Sequence, residues 1–241
     1  MYFSYNEAIS WVKEYKLALE ACVNESKHTI VLCPSFEVLG IIANQIDMKT
    51  ELIQLGAQDC SMFAQGAYTG QVSARSLKEI GCAYCVVGHS EIRQWYSLSD
   101  QMIAKKVHQL LLQGIMPIIC IGESKEHKRS GDTLIVLERQ LKLTLHTIYE
   151  TNSKNNVLIA YEPIWAVGTD KTPDSDYLVM VFDHIASLLR DANISEDRVQ
   201  FIYGGGVDYS IFQEFSHIPL LNGFLIGRAS TNFQILKKIV S

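Results

Sequence analysis

The hydrophobic positions of the chain fall into short continuous runs that are separated by longer amphipathic segments. Consecutive residues within each run are apolar, which is typical of parallel strands that are buried on both faces. The pattern therefore predicts seven strands, at residues 29–33, 52–56, 84–88, 117–121, 157–161, 199–203 and 223–227.

The segments between these runs have helical periodicity. It predicts long helices at residues 6–22, 100–112, 133–149 and 174–190. Within the first of them, the residues near one face are Ile9, Val12, Lys13, Leu17 and Leu19. This regular alternation indicates βα units on a parallel sheet.

The chain opens on a helix, and no strand precedes it. Seven strands and eight helices predict an α/β barrel of eight units in which the first strand is absent. An open, doubly wound sheet would alternate in the same way, but its usual glycine-rich phosphate turn after the first strand is missing. Because no linker rich in proline, glycine or serine divides the sequence, we expect a single domain over residues 1–241.

Composition and charge exclude several classes of partner. A net charge of −5 argues against nucleic acid, which needs a basic face. No run approaches about 20 apolar residues, so we expect no membrane span, and without a signal peptide we expect a cytoplasmic protein. The six cysteines lie mostly in apolar runs without paired metal-binding spacing, which favours reduced thiols and neither a metal nor a cofactor.

Two titratable residues follow predicted strands, where the loops of such a barrel carry its active site. Glu162 stands beside the apolar Pro163, Ile164 and Trp165, and desolvation there would raise its pKa towards that of a useful base. His89 precedes a predicted short helix, whose N-terminus disfavours the imidazolium and leaves a neutral donor. Taken alone, Glu162 could equally form a salt bridge and His89 could be a buried core residue.

Two further loops have the composition of a lid and of a phosphate site. Residues 163–169 combine a proline, a bulky apolar centre and a Gly-Thr end, which suits a lid that moves as a unit and exposes Ile164, Trp165 and Val167. The glycines at 204–206 and Gly227 let backbone N–H groups approach an anion closely. Glycine-rich turns are common, so this second signal is weak by itself.

Together these loops resemble the triosephosphate isomerase family. The similar segments are 57–60 with 66–70, 81–91, 120–123, 138–141, 161–169, 203–206 and 223–227, in order along essentially the whole chain. The resemblance implies a TIM (β/α)8 barrel that lacks its first strand. It also implies a homodimer through the loop 57–70, in which Thr69 would reach the neighbouring site.

The resemblance implies a role for each site residue. Glu162 would move a proton between two substrate carbons, and His89 would polarise the substrate oxygens. The backbone N–H groups that would hold the phosphate are those of Gly168, Gly205, Gly206, Gly227 and Arg228. Glu91 would support the site from behind, Cys120 would pack near it, and Leu225 would press on Glu162 when the lid closes.

The chain departs from the family pattern at its start. The family's first strand ends in Asn-x-Lys, and Met1 falls where the residue after that lysine should stand; Lys13 and Lys16 lie in the first helix and cannot replace it. We expect the working protein to begin upstream, the alternative being a shortened barrel of impaired activity. Smaller departures are Gly206 in place of serine, Arg228 in place of glycine and Ile92 in place of arginine.

These observations predict an isomerase that interconverts dihydroxyacetone phosphate and glyceraldehyde 3-phosphate without a cofactor. A non-catalytic barrel that binds phosphate or a protein partner is the alternative from a different class. A different phosphosugar isomerase on the same barrel is a more distant possibility, because the lid segment fits the family so closely.

Overall fold

A computed structural model describes residues 2–26, 28–45, 53–153, 155–169 and 171–240. Seven parallel strands form one curled sheet in the order β1 to β7, each paired with the next along the chain. The strands are β1 (Ile30–Leu32), β2 (Ile53–Ala57), β3 (Tyr84–Val87), β4 (Met116–Ile121), β5 (Val157–Tyr161), β6 (Val199–Tyr203) and β7 (Leu221–Phe224). The predicted TIM barrel with seven strands is therefore confirmed.

Helices cover the outer face of this sheet. Those described are α1 (Tyr5–Ser26), α2 (Phe36–Gln45), α3 (Ala74–Ile80), α4 (Ser90–Trp95), α5 (Asp100–Leu112), α6 (Lys125–Ser130), α7 (Thr133–Thr151), α8 (Ser175–Asp191), α9 (Tyr209–Phe215) and α10 (Phe233–Val240), with short 3-10 helices at Glu196–Arg198 and Arg228–Thr231. Eight helices were expected for the barrel units; α4 is the short helix predicted after His89, and α6 was not predicted. Each of these lies between a strand and a long helix and starts at a side-chain N-cap, His89 for α4 and Ser124 for α6.

The last strand begins two residues earlier and ends three residues earlier than predicted. The strand runs from Leu221 to Phe224 rather than over 223–227. The register shifts beside Phe201, where the side-chain Oδ1 of Asn222 accepts the backbone N–H of Phe201 at 2.8 Å. At the other end, Gly227 already caps the following 3-10 helix. The first residue of the predicted second strand, Leu52, lies outside the described residues.

The predicted buried face of α1 is wrong at Leu17. That side chain is 75% exposed, whereas Val12 and Leu19 are buried, and Lys13 is exposed as well. Leu17 follows Val12 by five residues, so at 3.6 residues per turn it lies about 140° away around the helix. The buried face of α1 is therefore narrower than the positions of its apolar residues predicted.

The strands separate an outer and an inner core, because successive side chains point to opposite faces of a sheet. Ile119 and Tyr161 belong to the large cluster between strands and helices. The smaller cluster fills the interior of the barrel and consists of Val86, Ile118, Cys120, Ala160 and Ile202. This inner cluster lies beneath the loops at the carboxyl ends of the strands, where the candidate site residues are located.

Helices α1 and α10 are in contact, whereas β1 and β7 are not paired with each other in the described part of the chain. Tyr15 of α1 stacks on Phe233 of α10 with ring centroids 4.3 Å apart, and the Trp11 Nε1–H donates to the carbonyl of Thr231. Within the described residues, β1 pairs only with β2 and β7 only with β6. No helix of the described segments is long and apolar enough to cross a membrane.

Candidate active site

Glu162 follows the last residue of β5 and is 2% exposed. Its backbone N–H donates to the carbonyl of Ile121 at 2.7 Å, which fixes the residue against the end of β4. The Oε2 atom accepts the backbone N–H of Ser90 at 3.2 Å. The Oε1 atom is buried without a hydrogen-bond partner among the described residues, so one carboxylate oxygen is available to take a proton.

The environment of Glu162 suits a base that works near neutral pH. Burial raises its pKa above the ordinary value, because a buried carboxylate loses the solvation of its charge. His89 and the N–H of Ser90 oppose this effect. Because its pKa is raised, this carboxylate binds a proton more readily than an exposed one, as a general base requires.

His89 lies at the N-terminus of α4 and faces the same carboxylate. Its Nδ1 accepts the backbone N–H of Glu91 at 3.4 Å, so the proton of a neutral ring is assigned to Nε2. Nε2 lies 3.3 Å from Oε1 of Glu162. The helix cap therefore favours the tautomer that directs an N–H donor into the space beside the base, and the neutral state of the ring stays a prediction.

Arg93 braces the His89 segment, and sequence reasoning had passed it over. Its Nε donates to the carbonyl of Gly88 at 2.8 Å and its Nη2 to the carbonyl of Cys120 at 3.1 Å. Its Nη1 forms an ion pair with Asp100 at 2.6 Å. One guanidinium thus ties the ends of β3 and β4 to the start of α5, a task for which its planar set of donors is suited.

Gly204 is a second residue that sequence reasoning missed, since only its two successors were assigned to the site. A Cβ atom at this position would lie 2.7 Å from Cγ of Glu162. Such a contact is too short for any side chain, so the glycine lets the base lie directly against the backbone after β6. The repeated glycines at 204–206 were the available signal.

The predicted lid is anchored at its start by Glu123, the second residue after β4, whose side chain is fully buried. The Glu123 carboxylate accepts the hydroxyls of Tyr161 and Tyr177 and, at 2.6 Å, the Nε1–H of Trp165. Its carbonyl accepts the backbone N–H of Ile164 at 3.1 Å. The expectation that Trp165 is exposed is therefore wrong, because its indole is buried on this carboxylate, whereas Ile164 remains exposed.

The glycines expected to bind phosphate lie on three loops at the carboxyl ends of the strands. Gly168, at the end of the lid, has φ +70°, which glycine adopts without strain. A Cβ at Gly206 would lie 3.6 Å from the carbonyl oxygen of Thr169, so the lid and the turn after β6 are neighbours. Gly205 belongs to the same turn, next to the hydroxyl of Tyr203.

Gly227 and Arg228 lie on the loop after β7. Gly227 has φ −84°, and Arg228 is the exposed first residue of the 3-10 helix. Arg228 is not among the described non-glycine residues of positive φ, so an arginine in place of the family's glycine causes no backbone strain at this position. Because β7 is adjacent to β6, this loop lies beside the turn that carries Gly205 and Gly206.

The three residues expected to support the site occupy different places. Cys120 is fully buried beside Glu162, and burial raises its thiol pKa, so it stays protonated. Leu225 packs against the inner cluster beneath the site, and its N–H donates to the carbonyl of Tyr203 at 2.9 Å. The Glu91 side chain points to solvent, and its Oε2 is 3.8 Å from Nδ1 of His89.

No group of three or more His, Cys, Asp or Glu side chains in the described segments is arranged to hold a metal ion. The buried Glu162 carboxylate, with Nε2 of His89 3.3 Å from its Oε1, supplies groups suited to proton transfer.

Comparison with known proteins agrees with this geometry. The family model described as "Triosephosphate isomerase" matches residues 1–241. The chain is 36% identical to the triosephosphate isomerase of Aquifex aeolicus over 237 residues, which cover 98% of this chain and 94% of that protein. It is 35% identical to the triosephosphate isomerase of Thermus thermophilus over 231 residues, which cover 95% of this chain and 90% of that protein. The chain belongs to the triosephosphate isomerase family.

Proposed function

We propose that this protein interconverts dihydroxyacetone phosphate and D-glyceraldehyde 3-phosphate through an enediolate. Glu162 takes the proton from one substrate carbon and returns it to the neighbouring carbon. The Nε2–H of His89 donates to the substrate oxygen on which negative charge develops. The observation that carries the proposal is the buried Glu162 carboxylate with its uncommitted Oε1 3.3 Å from Nε2 of His89.

The remaining residues have supporting roles in this proposal. Backbone N–H groups of Gly168, Gly205, Gly206, Gly227 and Arg228 hold the phosphate, with the neighbouring lid and turn supplying the first three. Cys120 and Leu225 pack in and against the inner cluster beneath the site. The carboxylate of Glu91 lies near Nδ1 of His89, the ring nitrogen that faces away from Glu162. Closure of residues 163–169 excludes water from the enediolate.

The proposal also includes one barrel domain over residues 1–241, a location in the cytoplasm and a homodimer. One core cluster runs from Ala8 to Val240, which supports the single domain. Free thiols at Cys33, Cys60, Cys82, Cys85 and Cys120 are in keeping with a reducing compartment.

The dimer is supported by the loop 57–70 and by exposed aromatic side chains. The hydrogen bond from the N–H of Ser61 to the carbonyl of Val72 closes the base of this loop. At its tip Phe63 stacks on Tyr68, with ring centroids 3.8 Å apart. Trp95 and Tyr96, on the segment that begins at His89, are 73% and 75% exposed, an exposure typical of residues that a partner covers.

The direct test follows deuterium from solvent into the triose phosphates by NMR, which detects proton transfer even when turnover is slow. We expect exchange at the two carbons with the unchanged chain, and a loss of about 100- to 10,000-fold with Glu162→Gln. The matched control is Glu79→Gln, which removes an exposed carboxylate paired with Arg75. Exchange that survives Glu162→Gln would refute the assignment of the base.

A further inference from the structure

The indole of Trp165 is enclosed by three groups that come from separate segments of the chain. Its Nε1–H donates to Oε1 of Glu123, and the ring of Tyr177 meets it edge-on, with centroids 6.2 Å apart and an interplanar angle of 82°. The Nζ atom of Lys128 lies over the indole face, 3.2 Å from the ring centroid. The same ammonium is 4.9 Å from the centroid of Tyr177, so it stands in the angle between the two rings.

Helix α6 holds Lys128 at this place. The side chain of Ser124 accepts the N–H of His127 at the start of the helix. At its end the N–H of Gly131, which is left-handed, donates to the carbonyl of Lys128. Both ends of this six-residue helix are therefore fixed. Lys128 itself is exposed and takes part in none of the ion pairs between described residues, so the two rings are its specific contacts.

The charge of Lys128, over the face of the indole, complements the buried carboxylate that accepts the N–H group at the edge of the ring. Glu123 is fully buried, and the donors that reach its carboxylate, from Tyr161, Trp165 and Tyr177, are all neutral. A cation over an aromatic face is attracted to the ring electrons. It draws electron density away from Nε1–H, which strengthens the hydrogen bond that this group donates to the carboxylate, since linked polar contacts polarise one another.

We propose that Lys128 is a positioning residue for the lid, because its ammonium group holds the indole of Trp165 on the buried carboxylate of Glu123. The N–H of Ile164 is bound to the carbonyl of the same Glu123. The start of the lid, directly after the base Glu162, is thereby held in place. The movement that closes the lid is then confined to residues 166–169. This inference deepens the proposed function, since it names what divides the lid into a fixed and a moving part.

The test observes the indole N–H groups by NMR in protein labelled with 15N-tryptophan. The three tryptophans give three indole signals, and Trp165→Phe assigns the relevant one. We expect the Trp165 Nε1–H to exchange with solvent about 3- to 30-fold faster in Lys128→Met than in the unchanged protein, with an upfield shift of its resonance. Lys128→Arg keeps a cation over the ring and should restore both values.

The matched control is Lys125→Met, which removes the same charge from the same helix at a residue that takes part in neither of the described cation–π contacts. It should leave the indole signal and the kinetics unchanged. In assays, Lys128→Met should lower kcat and raise KM by about threefold or more each, since a loosened hinge affects both constants.

An unchanged exchange rate in Lys128→Met, or an equal acceleration in Lys125→Met, would overturn the proposal. A failure of Lys128→Arg to restore the signal would overturn it as well. The NMR experiment needs no turnover, so it gives its answer even if the proposed isomerase activity is wrong.

Discussion

Gly204 lies so close to the base that a Cβ atom there would be 2.7 Å from Cγ of Glu162 and 3.3 Å from its Oε1. The contact is with the part of the side chain that carries the carboxylate. An alanine at this position would push the base out of place.

We therefore predict that Gly204→Ala lowers kcat by about tenfold to 100-fold, because a displacement of about 1 Å can cost two orders of magnitude. Binding of the substrate phosphate should change much less. The control is Gly40→Ala in α2, where a Cβ meets no atom within 4 Å and should stabilise the helix by about 0.5–1 kcal/mol. Equal effects of the two substitutions on kcat would contradict the steric argument.

The raised pKa of Glu162 links activity and stability to pH in opposite directions. The active base is the carboxylate, so the acidic limb of the kcat/KM profile should have its midpoint above the ordinary value of 4.5. A pKa that is raised in the folded state stabilises the fold at pH values below the unfolded pKa, and that stabilisation is lost as pH rises through the folded pKa.

Glu162→Gln should consequently raise Tm at pH 8 and change it little at pH 4. Calorimetry at the two pH values measures this difference. A gain in Tm of the same size at both would show that the effect is not due to ionisation of the carboxylate.

His89 has two separable tasks, to cap α4 through Nδ1 and to direct Nε2–H towards the substrate. Asparagine is an excellent N-cap residue but cannot reach the site. His89→Asn should therefore keep the free energy of unfolding within about 0.5 kcal/mol and lower kcat by about 100- to 1,000-fold, the usual cost of losing one preorganised donor. Denaturant unfolding and steady-state kinetics separate the two effects.

The proposed dimer predicts a specific defect in Trp95→Glu. In the proposed dimer the partner subunit covers Trp95, so a charge at this position should raise the dimer dissociation constant by at least about tenfold. Leu17→Glu is the control, since Leu17 is equally exposed but lies on α1. Sedimentation velocity across a concentration series measures the change, and a monomer at all concentrations of the unchanged chain would refute the dimer.

Local patterns sufficed to predict most of the fold. The strands β5 and β6 match their predicted bounds. A short run that is mostly apolar is typical of a parallel strand that is buried on both faces. The shift of β7 depends on Asn222 bonding to β6, which no pattern within residues 221–227 reveals. Similarly, Leu17 was misplaced because an apolar side chain on a helix does not identify the face that packs.

The sequence predicted those site residues whose position depends only on the neighbouring residues in the chain. Glu162 and His89 follow strands, and the cap at His89 can be read from its neighbours. In contrast, the burial of Trp165 depends on Glu123, Lys128 and Tyr177, which lie on three other segments. The closeness of Gly204 to the base likewise exists only once β5 and β6 are side by side.

The contact between α1 and α10 has a consequence for folding. Trp11 and Thr231 are 220 residues apart in sequence, so their hydrogen bond and the adjacent Tyr15–Phe233 stack close nearly the whole chain into one loop. Contacts of such long range carry a large entropic cost and form only after the intervening units are in place. We therefore expect the contacts between α1 and α10 to form late in folding. Local unfolding of either helix should remove the packing partner of the other.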